Sequence, residues 1–210
     1  MHIIDAETPG ILWQQAAKKV YAEGSEIMDG EEHLKELTNV LLISSNPSGS
    51  DPVIEKFADK NMINFMLGNF LDKKPVLDWG YSYGMRLFDY NGADQLQRVI
   101  DKLKKNKESK SATVDLMDPL KDGKHVPCIC TIDFKIRDNK IQCSAFFRSQ
   151  DVGKKIYADI ISLGELMKQV SQGAGYAVGT LHIFIASLHI YEKDVNDKVL
   201  PLINWTPNTR

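Results

Sequence analysis

Residues 127–151 read PCICTIDFKIRDNKIQCSAFFRSQD. Apolar and polar side chains alternate on either side of Arg137-Asp138-Asn139. Two alternating runs joined by turn-forming residues predict a β-hairpin, with strands over 127–136 and 140–148. Working outward, the chain continues into a helix over about 158–173 and a strand over about 178–191. Upstream, Ala112–Leu116 is a further strand, and 92–105 an amphipathic helix with Leu96, Val99, Ile100 and Leu103 on one stripe. Residues 52–71 suit an interrupted helix capped by Asp51 or Ser50. Leu37–Ser45 reads as a strand that runs into the turn residues 46–50. An N-terminal helix over 11–23 stops at Gly24. No repeat, low-complexity tract or linker divides the chain. The expectation is a single α+β domain over residues 1–210.

The composition fits that frame. The chain has 210 residues, with 26 Lys plus Arg against 28 Asp plus Glu, a formal net charge of −2. That balance argues against a generic polyanion binder, so no nucleic-acid partner is expected. No apolar run approaches the roughly 20 residues of a membrane-spanning helix, and the N-terminus lacks the basic-then-apolar order of a signal peptide. No membrane partner is expected, and the expected location is the cytoplasm. The three cysteines, Cys128, Cys130 and Cys143, are an odd number within one short segment, so at least one is expected as a free thiol.

Period-two geometry puts Cys128 and Cys130 on one face of their strand, opposite Ile129 and Thr131. They either line a cavity or serve as small buried hydrophobes. No metal site is expected, because tetrahedral zinc needs four ligands and no second cluster accompanies the C-x-C pair. Arg148, Ser149 and Asp151 fall where the chain leaves the sheet. A guanidinium beside a hydroxyl suits an oxyanion such as phosphate, and a surface ion pair is the plain alternative. In the last strand, alternation places Ser187, His189 and Tyr191 on one face, with His182 and Leu188 on the other. That polar row is either ligand-facing or solvated. The aromatic stretch LDWGYSYGMRLFDY, residues 77–90, lines a site or covers the core.

Cys128 after Pro127, Arg148-Ser149-x-Asp151-Val152, and His189-x-Tyr191, in this order and at these separations, resemble thymidylate synthase and its relatives the pyrimidine-nucleotide hydroxymethylases. The resemblance is best over Tyr81–Asp194 and looks most like the short archaeal branch. It implies an α+β fold with a large mixed sheet flanked by helices and packed against its twin in a homodimer. It also implies 5,10-methylenetetrahydrofolate as cofactor. In the family, a cysteine thiolate adds to C6 of the pyrimidine of a nucleoside monophosphate, and C5 then takes up the one-carbon unit. Hydride from the folate gives a methyl product, and water gives hydroxymethyl. Carried over by residue, Cys128 is the nucleophile and Tyr83 lies near the reacting ring. Ser149 and Arg148 hold phosphate, with Arg148 also favouring the thiolate. His189 and Tyr191 meet the sugar, and Asp151 lies near the folate.

The departures from the family pattern are informative. Counting from Asp151, Asp159 stands where the synthases hold a base-reading asparagine. The asparagine amide suits uracil, whereas a carboxyl suits the N3 and amino group of cytosine, and aspartate is what the cytidylate hydroxymethylases carry, so Asp159 is expected to be catalytic too, drawing electron density from the ring to favour addition at C6. The plain alternative is a helix N-terminal residue favoured by the dipole. The paired arginines lent across the dimer are missing near 106–111, where Lys110 and Ser111 remain. Lys110 is expected to act in the neighbouring subunit's site. Ile129 and Phe147 replace a histidine and a glutamine. Glu55 is a candidate for the family's glutamate, and Asn64 falls in the same region. The expected activity is folate-dependent C5 hydroxymethylation of CMP or dCMP. Methylation of dUMP and a non-catalytic nucleotide-binding homologue are the alternatives.

Overall fold

A computed structural model describes residues 1–48, 50–76 and 80–207. The predicted hairpin is present as β5 (Ile129–Arg137) and β6 (Lys140–Asp151). Asp138 and Asn139 take positive φ values of 51° and 56°, the backbone a two-residue hairpin turn demands of both its central residues. Five further strands complete the sheet: β1 (His2–Ala6), β2 (Ser25–Asp29), β3 (Glu32–Ser44), β4 (Thr113–Asp115) and β7 (Ala177–Tyr191). The order is β1-β3-β7-β6-β5-β4, with β2 also on β3. The sheet is mixed: β6 lies parallel to β7, and β3 antiparallel to it. A parallel pair needs a long crossover, and α6 (Ile156–Ala174) supplies it between β6 and β7.

The helices cover one face of the sheet. These are α1 (Pro9–Glu23), α2 (Pro52–Phe57), α3 (Lys60–Leu71), α4 (Tyr83–Phe88), α5 (Gln95–Lys105) and α6. The interruption expected in 52–71 falls at Ala58-Asp59, and Asp51 caps α2 by accepting from the backbone N–H groups of Val53 and Ile54. The aromatic stretch 77–90 contains α4, and Leu77, Asp78 and Trp79 lie outside the described residues. Among the described residues no helix is long and apolar enough to cross a membrane.

Alternation breaks along one line across four adjacent strands. In β5, Ile129 pairs with Phe147 but Thr131 with Phe146, leaving Cys130 as a bulge. In β6 burial passes from Phe147 to Gln150, and in β7 from Ile185 to Leu188. In β3, Asn39 sits at φ 56°, the left-handed region that asparagine tolerates better than most residues. These positions are neighbours in register, so the sheet kinks as a unit. Two expectations change as a result. Thr131 is half-buried beside Cys130 rather than opposite it, while Ile129 and Ile132 both face the core. His182 shares the helix-free face with Phe184 and, beyond the kink, with Ser187 and His189, while Leu188 faces the core.

The helix-free face carries an apolar row. Ile3, Leu41, Phe184 and Phe146 stand side by side in register on β1, β3, β7 and β6. Phe184 and Phe146 are 42% and 41% exposed, which is unusual for phenylalanine in the middle of a sheet.

Candidate active site

The kink turns polar side chains out of the sheet into a cleft of about 620 Å³. Cys128, just before β5, lines it with Arg148, Ser149, Asp151, His189 and Tyr191. Six residues predicted from separated motifs therefore share one cavity. β2 and β3 add Asp29 and Glu36, and the turn before α6 adds Lys155.

The surroundings of Cys128 are ordered by Arg148. Its backbone N–H donates to the Cys128 carbonyl at 2.8 Å, and its guanidinium donates to the carbonyls of Val126 (2.8 Å) and Pro127 (3.1 Å) and to Ser149 Oγ (3.1 Å). One arginine thus fixes the segment entering Cys128 and the hydroxyl beside it. Ser149 Oγ lies 3.9 Å from Cys128 Sγ. Cys130 does not line the cleft, because the bulge takes it out of line, and burial pushes its thiol up. Cys143 is fully buried in the core.

The far wall is a polar network. Ser187 Oγ donates to Glu36 and lies 3.5 Å from His189 Nδ1, and the His189 and Tyr191 rings meet edge to face at 5.1 Å. Burial lowers the His189 pKa, against the opposing pull of Asp151, and favours the neutral ring. Burial also raises the Asp151 carboxyl. Asp151 Oδ1 accepts from the Gly153 N–H at 2.8 Å, which places it between this cleft and a second cavity of about 240 Å³. Trp13, Phe57, Tyr157, Lys154 and Lys198 are among the residues lining that second cavity, and the Trp13 and Tyr157 rings lie 4.3 Å apart. Lys154 and Lys198 each pair with Asp194 at 3.0 Å, and Asp59 and Asp197 also line the cavity, so it is the aromatic walls that suit a flat heteroaromatic group.

Beneath the cleft lies Asp159, in the first turn of α6 and fully buried. Its Oδ2 accepts from Gln150 Nε2 at 2.8 Å and pairs with Lys155 Nζ at 3.3 Å. Its Oδ1 and the adjoining Gln150 Oε1 have no partner. Burial pushes the Asp159 carboxyl up, and Lys155 and Gln150 pull the other way. Tyr83 is also buried, its hydroxyl kept protonated by burial, and its backbone N–H donates to Asn69 Oδ1. Gly84 follows because a Cβ there would meet the Asp72 carbonyl oxygen at 2.2 Å. Neither Asp159 nor Tyr83 lines the open cleft, although Asp159 pairs with Lys155, which does.

Other expected positions fall elsewhere. Lys110 is exposed and does not line the cleft of its own chain. Glu55 and Asn64 are exposed on α2 and α3 and away from the cleft, so neither matches a buried catalytic glutamate. Lys155, Gln150 and Glu36 were not singled out by sequence. Lys154-Lys155 reads as a solvated helix start, and only the 3.3 Å pair with a buried carboxylate reveals the second lysine's place. Among the described residues no group of three or more His, Cys, Asp or Glu is arranged to hold a metal ion.

The chain is similar to known proteins over nearly its whole length. The family model described as thymidylate synthase matches residues 16–209. A protein of Methanothermobacter marburgensis named "Putative thymidylate synthase" is 32% identical over 197 residues, covering 86% of this chain and 88% of its own. Proteins of the same name from Methanothermobacter thermautotrophicus (31%, 92% of this chain and 94% of that one) and Methanococcoides burtonii (29%, 96% and 94%) are similar throughout. The family uses 5,10-methylenetetrahydrofolate as its one-carbon donor and acts on small pyrimidine nucleotides. With the family model matching residues 16–209 and relatives of up to 32% identity aligned over most of both chains, the chain belongs to the thymidylate synthase family, beside its archaeal members.

Proposed function

We propose that the protein is a cytidylate 5-hydroxymethyltransferase, which transfers a one-carbon unit to C5 of CMP or dCMP through a Cys128 adduct at C6, with water completing the product. The observation that supports this reading is the pair of unpartnered buried acceptors, Asp159 Oδ1 and Gln150 Oε1. A carboxylate has no N–H to offer, so the two oxygens together suit the two N–H bonds of an amino group at C4 and oppose the carbonyl oxygen of uracil. An unpaired buried acceptor costs about 1–3 kcal/mol, which a cytosine amino group would relieve.

The remaining assignments follow the cleft. Cys128 supplies the thiolate, Arg148 and Ser149 face the phosphate, and His189 with Tyr191 faces the sugar. Tyr83 keeps its hydroxyl proton available near the ring. Methylenetetrahydrofolate supplies an electrophilic carbon, and Asp151, Trp13, Tyr157 and Lys154 would hold it at the second cavity. Tritium release from C5-labelled CMP or dCMP, with the folate and without dihydrofolate accumulation, is the expected result. Release from dUMP and from neither cytidine nucleotide would sink the assignment. Asp159→Asn, which restores an amide, shifts the cytidylate-to-dUMP rate ratio toward dUMP by about 10–100-fold, the range of a bidentate base contact.

The proposed working unit is a cytoplasmic homodimer acting on a small nucleotide, with no role for nucleic acid or a membrane. The apolar row Ile3, Leu41, Phe184 and Phe146 lies on the same face as the cleft, so a second copy seated on it would lie beside that opening. There the partner copy's exposed lysine 110 would supplement Arg148. Light scattering of the wild type should give a dimer. The double substitution Phe146→Glu/Phe184→Glu should give a monomer with weakened nucleotide binding, and a dimer that survives it would place the interface elsewhere.

A further inference from the structure

Lys155 is a cation inside the cleft that the proposed chemistry has not yet used. Its side chain lines the cavity with Cys128 and Ser149, and its Nζ lies 3.3 Å from Asp159 Oδ2. Asp159 is fully enclosed and does not line the cavity, so a ligand there meets the lysine on its way to the carboxylate. The other groups facing this point are Tyr83 from α4, Arg148 and Asp151 from β6, and His189 from β7. Burial is the largest single influence and opposes the ammonium charge, but the groups around it, Asp159 foremost through its charge and hydrogen bond, together outweigh burial and hold the lysine above its ordinary range. A lysine so held does not surrender its proton at neutral pH. It acts as a fixed charge with an N–H directed by its partner.

Resting on the cytidylate reading, we infer that Lys155 is a catalytic residue whose ammonium bonds N3 of the pyrimidine and stabilises the negative charge that arrives there on thiolate addition, with Asp159 positioning it. When the sulfur bonds to C6, the C5=C6 π pair moves to C4=C5, and the C4=N3 π pair becomes a lone pair on N3. No proton changes place in this step. The ammonium stays intact and faces more charge in the transition state than in the bound substrate, which is the condition for raising a rate rather than tightening binding. When the sulfur leaves, the electrons return by the same route.

The test follows C5 tritium release from CMP and dCMP, with nucleotide Kd and thermal melting measured on the same preparations. In Lys155→Gln the release rate should fall by about 100-fold or more while Kd moves by less than about tenfold, and Lys155→Arg should recover to within about tenfold of wild type. Lys155→Gln leaves a buried carboxylate unpaired and risks misfolding. Lys155→Gln/Asp159→Asn removes the pair together and is compared on CMP and dCMP, whose N3 is an acceptor, with Asp159→Asn alone, where the same loss of about 100-fold is expected. Release from Lys155→Gln within about threefold of wild type, or a loss confined to Kd, overturns the lysine's role. A wild type that exchanges none of the three nucleotides overturns the cytidylate reaction and the lysine's role together.

Discussion

Cys128→Ser should eliminate C5 hydrogen exchange while leaving nucleotide binding and folding almost unchanged. Exchange at C5 requires that C5 become a carbon nucleophile, which in turn requires a covalent bond at C6. A serine hydroxyl at neutral pH is a far weaker nucleophile than a thiolate. The geometry is otherwise preserved. The Cys128 carbonyl stays bonded to the Arg148 N–H, and the side chain is half-buried at the cleft rather than packed in the core. We expect a rate loss of at least ~10³-fold, about 4 kcal/mol of transition-state stabilisation, with folding stability within about 1 kcal/mol of wild type. Cys130→Ser is the matched control, since that thiol sits on the bulge outside the cleft, and exchange should stay within about threefold of wild type. Exchange surviving in Cys128→Ser would remove the covalent mechanism. Nucleotide binding by a wild type that exchanges nothing would instead identify a non-catalytic homologue.

The parts of this site that were legible in the sequence were those carried by short contiguous motifs. Arg148-Ser149-x-Asp151 ends a strand whose alternation is plain, and the hairpin turn at Asp138-Asn139 fixes that strand's register with β5. What alternation could not show was its own interruption. The kink joins Asn39, Ala186, Arg148 and Cys130, residues far apart in sequence, and none of them is a glycine or proline that would mark a break. One missed residue therefore moved Thr131 and His182 to the other face. β1 and β2 were missed for a different reason. They are five residues each and pair with β3, which hides their partly polar pattern from a period-two reading. Residues 192–203 were likewise unassigned and form short helical turns that pack on the N-terminal half of α1, where Gln14 Nε2 donates to the Leu202 carbonyl at 2.7 Å. Lys155 was invisible because its meaning lies in burial beside Asp159, and local sequence does not encode burial.

Asp122→Ala should lower the melting temperature by roughly 10 °C, although Asp122 touches no substrate. The segment 117–126 leads into Pro127-Cys128, and one ion pair anchors it. Arg86 and Asp122 form a two-bond pair with side chains 5% and 4% exposed, and Arg86 also donates to the Leu116 carbonyl. The Asp118 N–H donates to Asp122 Oδ2 at 2.6 Å, and the Tyr81 ring lies 3.9 Å from the guanidinium carbon. Removing the carboxylate leaves a buried guanidinium without a counter-charge, which costs about 3–5 kcal/mol, and a chain of this size loses about 2–4 °C per kcal/mol. Arg86→Met/Asp122→Leu removes both charges together and should lose much less. By contrast, Lys121 pairs with Asp118 at 3.5 Å with its own side chain 62% exposed, and Lys121→Ala should stay within about 0.5 kcal/mol of wild type. The pH dependence has a definite sign. Burial is the largest single influence and works against ionisation of Asp122, but the Arg86 guanidinium and the Asp118 N–H together outweigh it and hold the carboxyl below the ordinary range. A depressed carboxyl contributes fully above its unfolded pKa, and the contribution is lost as pH falls through the folded one. The gap between wild type and Asp122→Ala should therefore hold from neutral pH down to about pH 4 and close below it. Melting curves that differ by less than about 2 °C at pH 7 would show that the pair does not anchor the segment, and the order at Cys128 would then rest on bonds such as those from Arg148 and from the Tyr81 hydroxyl to the His125 carbonyl.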